Sequence, residues 1–121
     1  MSYVCSNPES YKGKVVGDGN CVAFVKEAAK APETRKWKQG ASVKGDVTLK
    51  AGTAIATFNE KGEYPNKAHG NHAAIYLNQD LSGLVVLDQW QLKGAVSQRL
   101  IAFRGGKGSP SDDGDAFSVI E

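Results

Sequence analysis

Two cysteines, Cys5 and Cys21, are all that the 121 residues contain. That is too few for a small domain stapled by disulfides. Separated as they are, and with only His69 and His72 beside them, they do not spell a metal site either. The count allows a Cys5–Cys21 bridge, but a cytoplasmic origin favours free thiols. An excess of one charge is also missing: 15 basic against 13 acidic residues leave a formal charge of +2. This argues against nucleic acid as the main partner, which needs a strongly basic face. No apolar run approaches a membrane span. The opening "MSYVCSNPES" has neither a basic cap nor an apolar stretch, so nothing there reads as a signal peptide. The expectation is a protein made in the cytoplasm, with any export using machinery that cleaves no signal. Repeats, low-complexity tracts and linkers are absent, and no motif asks for a cofactor. With 40% hydrophobic and 23% charged residues, the chain reads as one globular domain, 1–121.

What is present begins with "GDGNCVAFVKEAAK", residues 17–30. Cys21, Phe24, Val25 and Ala28 follow the i, i+3, i+4, i+7 spacing of a helix face. Asn20 or Asp18 supplies an N-cap, and Pro32 ends the segment. After a loop holding Lys36, Trp37 and Lys38, the pattern turns strand-like. "GTAIATF" (52–58), "HAAIYL" (72–77), "GLVVLDQW" (83–90), "SQRLIAF" (97–103) and "DAFSVIE" (115–121) are short β-prone runs separated by turn residues. "NQDLSG" suits a hairpin. The fold class is α+β: a helix near the N-terminus packed on an antiparallel sheet of about five strands. The Gly/Ser/Asp-rich stretch 105–115 reads as a mobile loop, and Trp90 as core.

A thiol attacks only as thiolate, and the first turn of a helix stabilises an anion through its unpaired N–H groups and dipole. Cys21 stands at that position, behind Gly17 and Gly19, which leave the backbone uncluttered for a substrate carbonyl. Its own N–H is a candidate oxyanion donor. A thiolate nucleophile also needs a base that later protonates the leaving amine. His72 opens a strand and is aimed by ladder hydrogen bonds; His69 lies in the loop before it and is the weaker candidate. The imidazole in turn needs an orienting group. Asp88 and Gln89 sit on the next run, on opposite faces by alternation, so only one of them reaches His72. Asp88 is the choice and Gln89 the runner-up. Set against this, a lone cysteine on an apolar helix face is more often structural than reactive.

The order loop–Cys–helix, His at a strand start, then a polar residue on the following strand resembles the papain-like cell-wall hydrolases of the NlpC and CHAP types. "GDGNCVAFVKEA" is similar to their nucleophile segment, "GTAIATF" and "GNHAAIYL" to the strands around their histidine, and "VVLDQW" to the CHAP strand bearing an acidic residue, an amide and a Trp. The match spans roughly residues 15 to 92. Directly after the cysteine, where those families often carry Trp or Tyr, this chain has Val22 and Ala23. In detail it also resembles small amidase effectors of type VI secretion. The resemblance implies Cys21 as nucleophile, His72 as base and acid, and Asp88 as orienting residue, with no metal or cofactor. It implies a peptidoglycan substrate, a cognate immunity protein and action in the periplasm of neighbouring bacteria. The bond is the D-Ala–diaminopimelate cross-link or, as alternative, the D-Glu–diaminopimelate stem bond. Asn20, Trp37, Asn71 and Gln89 are candidate substrate-binding residues, with Tyr64 and Asn66 as further groove-lining candidates. A non-catalytic binding module or immunity-type partner on the same fold is the competing reading.

Overall fold

The computed structural model describes residues 2–121. Helix α1 (Cys21–Ala29) buries Cys21, Phe24, Val25, Ala28 and Ala29. Asn20 caps it: its side chain accepts the Val22 N–H at 2.9 Å, while Asp18 Oδ1 accepts the Asn20 N–H at 2.9 Å. Lys30 closes the helix in left-handed geometry, φ 58°, two residues ahead of Pro32. Gly17, at φ +57°, lets the lead-in loop fold onto the helix; a Cβ there would lie 2.9 Å from that of Ala23.

The sheet has six strands, β1 (Gln39–Ser42), β2 (Ala54–Thr57), β3 (Ala73–Gln79), β4 (Gly83–Trp90), β5 (Gly94–Ala102) and β6 (Phe117–Ile120), in the order β1-β6-β2-β3-β4-β5. Every pairing is antiparallel. The expected five strands thus become six. The extra strand, β1, reads "QGAS", is mostly exposed and joins the sheet only along β6, so it carries no apolar alternation to announce it.

Both faces of the sheet are covered, so β2 and the start of β3 are continuously buried. Ala54, Ala56, Ala73, Ile75 and Leu87 pack under α1, and the alanines among them let the helix approach closely. Ile55, Ala74, Tyr76, Leu84, Val86 and Phe117 form a second cluster on the other face, flanked by Leu49 and Phe103. At ~25 cal/mol per Å² of apolar surface, each fully buried large side chain contributes about 1.5–3 kcal/mol.

Segment 105–115, expected as a mobile loop, is tied to the fold at Asp113. The buried carboxylate of Asp113 accepts the N–H groups of Arg104, Gly106 and Asp115 at 2.8, 2.7 and 3.0 Å. The glycines at 105 and 106 take positive φ, which lets the chain wrap that carboxylate. Among the described residues no helix is long and apolar enough to cross a membrane.

Candidate active site

A cleft of about 570 Å³ brings together residues from α1, the loop before β3, the end of β4, β5 and the 105–115 segment. Cys21 supplies the one sulfur among its described lining residues. As the first helical residue it has an N–H with no acceptor one turn back. The thiol is free, as is Cys5, so no bridge joins them. Tyr64 Oη lies 3.8 Å from Sγ, and Asn71 Nδ2 donates to the same hydroxyl at 3.4 Å.

His72 is fixed through its backbone: its N–H donates to Thr57 Oγ1 at 3.1 Å and its carbonyl accepts the Thr57 N–H at 3.0 Å. The ring is 2.8 Å from Asp88 Oδ2 through Nε2, which leaves Nδ1 as the nitrogen available to the thiol. Asp88 is fully buried and is also bonded by Arg99 Nε at 2.6 Å and by Lys93 Nζ. The carboxylate therefore carries three cationic partners when His72 is protonated.

These contacts set the charges. Burial pushes the Cys21 thiol up, but the hydrogen bond and charge of His72, then the Ala73 N–H and the Tyr64 hydroxyl, outweigh it and hold the thiol below its ordinary 9.0. Burial pulls the His72 ring down, yet Asp88 and the thiolate raise it to about 9. Burial lifts Asp88 while His72, Lys93 and Arg99 bring it down to about 2. Tyr64 is driven up by burial and then by the thiolate beside it, so it stays a neutral O–H donor. The contacts thus favour a charged imidazole beside a charged carboxylate and shift the thiol toward its thiolate form.

Of the sequence-predicted residues, Cys21, His72, Asn20, Asn71, Asn66 and Tyr64 line the cleft, and Asp88 stands directly behind His72. Two candidates for substrate contact do not. Trp37 is 3% exposed, donates Nε1–H to the Pro32 carbonyl at 2.8 Å and packs on Tyr64 with ring centroids 5.0 Å apart. Gln89 is fully buried: its Oε1 accepts the Val16 N–H at 3.0 Å, and its Nε2 donates to the carbonyls of Val16 and Asn20 at 2.8 and 2.9 Å. Its amide is spent on pinning the loop that delivers Cys21. Trp90, expected in the core, is 36% exposed at the rim, edge-on to His72 at 5.9 Å, with Lys93 Nζ and Arg99 Cζ 4.8 and 5.0 Å from its ring centroid. Sequence reasoning missed Lys93 and Arg99 altogether. The one available signal was the register of β5, which sets Arg99 opposite Val86, two residues from Asp88.

An α+β scaffold that aligns a thiol at a helix start, an imidazole and a buried carboxylate in an open cleft has the arrangement that thiol-dependent acyl transfer requires. The chain belongs to the domesticated amidase effector 2 family, whose model matches residues 1–120. It is 40% identical over 106 residues to a type VI secretion amidase effector 2 protein of Salmonella typhi, covering 84% of this chain and 79% of that protein. It is 39% identical over 124 residues to domesticated amidase effector 2 of Ixodes scapularis, covering 97% and 83%. A solved structure, type 6 secretion amidase effector 2 (Tae2), superimposes with a TM-score of 0.85 at 34% identity, covering 98% of this chain and 94% of that one.

Proposed function

We propose that this chain is a papain-like, cysteine-dependent peptidoglycan amidase acting as one domain over 1–121. The observation that carries the reading is the aligned set Cys21, His72 and Asp88, with the His72–Asp88 contact at 2.8 Å and the thiol held below its usual range by His72. The membership in an amidase effector family supplies the substrate class.

The Cys21 thiolate attacks the amide carbonyl, forming a C–S bond and an oxyanion that the Cys21 N–H and the Tyr64 hydroxyl are placed to receive. Collapse of this intermediate breaks the C–N bond, and His72 gives its proton to the departing amine. A water molecule then attacks the thioester as His72 takes one of its protons. Collapse breaks the C–S bond and returns the thiolate, so one amide and one water become a carboxylic acid and an amine. Asp88 keeps the imidazole ring oriented and stabilises its charged form throughout.

The preferred bond is the D-Ala–diaminopimelate cross-link, with the D-Glu–diaminopimelate stem bond as the alternative. The delivery proposed with it is type VI secretion into the periplasm of target bacteria, with a cognate immunity protein in the producing cell. Digestion of purified sacculi, with the released muropeptides identified by mass, tests the reading and names the bond. New amine and carboxyl ends are expected with the native protein and none with Cys21→Ala. Equal products from both proteins, or none from either, would refute it.

A further inference from the structure

Arg99 is held on three sides and open on the fourth. Its Nε donates to Asp88 Oδ2 at 2.6 Å, its guanidinium lies over Trp90 with Cζ 5.0 Å from the ring centroid, and Nη1 is 3.7 Å from Asp112 Oδ1. That last contact is too long for a hydrogen bond. Every fully buried side-chain nitrogen or oxygen among the described residues has a partner, so the unbonded N–H groups of Arg99 face solvent. They do so in the cleft that holds Cys21 and His72. Among the described residues lining this cleft, the cations besides the His72 imidazole are Arg99 and Lys67, and the one carboxylate is Asp112, whose side chain is 63% exposed.

A guanidinium with a free planar edge presents parallel N–H donors that match a carboxylate. We propose that the open edge of Arg99 is a subsite for a free carboxylate on the carbon that bears the leaving amine, and that Asp112 is a placeholder displaced when substrate binds. The proposal rests on the amidase reading above and deepens it. Its placement follows from the chain of contacts: Arg99 is bonded to Asp88, and Asp88 to His72, the group that protonates the leaving amine. Arg99, seated over Trp90, which is itself edge-on to His72, thus stands on the His72 side of the cleft, the side assigned here to the leaving group. In the D-Ala–diaminopimelate cross-link, the carbon next to the scissile nitrogen carries a free carboxylate. In the D-Glu–diaminopimelate bond of a tetrapeptide stem, the corresponding carboxyl is tied up in the next peptide bond. A carboxylate reader at Arg99 therefore selects cross-links over stem bonds.

The test compares kcat/KM on cross-linked muropeptide dimers in which that carboxylate is either free or converted to the primary carboxamide. The native protein is expected to prefer the free acid by roughly 10- to 100-fold, the range for hydrogen bonds between charged partners. Arg99→Gln slows both substrates, because Asp88 loses a partner, but brings the ratio close to one. Asp112→Asn, which leaves the Asp88 contacts intact, raises the ratio by lowering KM for the free acid more than for the carboxamide. Should Arg99→Gln fail to fold, the native ratio and the Asp112→Asn KM decide the matter. Equal rates on the two substrates overturn the subsite and leave the amidase reading standing. Failure to cut either substrate or intact sacculi overturns both.

Discussion

Replacing Asp88 by Asn in a protein that already carries Cys21→Ala isolates what the buried carboxylate does to His72. In the native protein, burial favours the neutral ring, and the hydrogen bonds and charges of Asp88 and the thiolate raise it from 6.5 to about 9. That rise corresponds to about 3 kcal/mol favouring the imidazolium. Cys21→Ala removes the share of the thiolate and leaves Asp88 alone against burial. The further change to Asn keeps the size and an oxygen for Nε2–H but removes the charge, while Lys93 and Arg99 stay beside it. A like charge about 4 Å away costs about 4 kcal/mol at an effective dielectric constant of about 20, so burial and the orphaned cations now act in the same direction. The ring of the single variant is expected to titrate above 6.5 and that of the double variant below it, a gap of at least about one pH unit. An NMR titration of the imidazole carbons reads this, with His69→Gln assigning the two signals. A double variant that still titrates above 6.5 would refute the role given to Asp88.

Alkylation by iodoacetamide, followed site by site by mass spectrometry, should show Cys21 reacting with an inflection below 9.0 and ahead of the buried Cys5; a Cys21 profile that rises only above 9.0 contradicts the thiolate–imidazolium pair. Tyr64→Phe removes a hydroxyl that lowers the thiol, so that inflection should move up and kcat fall roughly 10-fold; an unmoved inflection denies the contact a role. Gln89→Ala strands the Val16 N–H and two carbonyls, and should cost roughly 2–4 kcal/mol in urea unfolding and depress kcat more than it changes KM. Stability should also follow pH with a sign set by each group. Asp88 is lowered from 3.8 to about 2, so about 2 kcal/mol is fully present above 3.8 and lost as pH falls through about 2; His72 is raised, so its share is full below 6.5 and lost as pH rises through about 9. Urea midpoints should be highest between these limits, and Asp88→Asn should flatten the acid limb.

The parts of the molecule legible in the sequence are those whose signal is local. The helix is written in Cys21, Phe24, Val25 and Ala28, its start in the Asn20 cap, and the β3–β4 hairpin in two apolar runs around a polar turn. What escaped depends on partners far along the chain. Gln89 and Trp37 look like ligand-facing groups until Val16, Asn20 and Pro32 are seen to satisfy them, the first two 73 and 69 residues away from Gln89. Arg99 was hidden because hydropathy along β5 points the wrong way: Leu100 is 49% exposed while Arg99 turns in toward Asp88. A charged residue takes an inward strand position when a buried opposite charge pays for its desolvation, and that charge sits on another strand.

Strand β4 links the two halves of the site through the alternation of its side chains. Asp88 points to the face where it orients His72, and Gln89 to the face where it clamps residues 16–20, at whose end the thiol is carried. The two jobs need different chemistry. The imidazolium needs a negative acceptor, whereas the loop offers one donor, the Val16 N–H, and two acceptors, the Val16 and Asn20 carbonyls, which only an amide can satisfy together. Exchanging the two residues, or slipping β4 by one position, would press a buried carboxylate against two carbonyls and leave Lys93 and Arg99 facing a neutral amide. The order Asp-Gln is therefore dictated by both faces at once, and one strand holds both the imidazole and the segment that leads into the thiol-bearing helix.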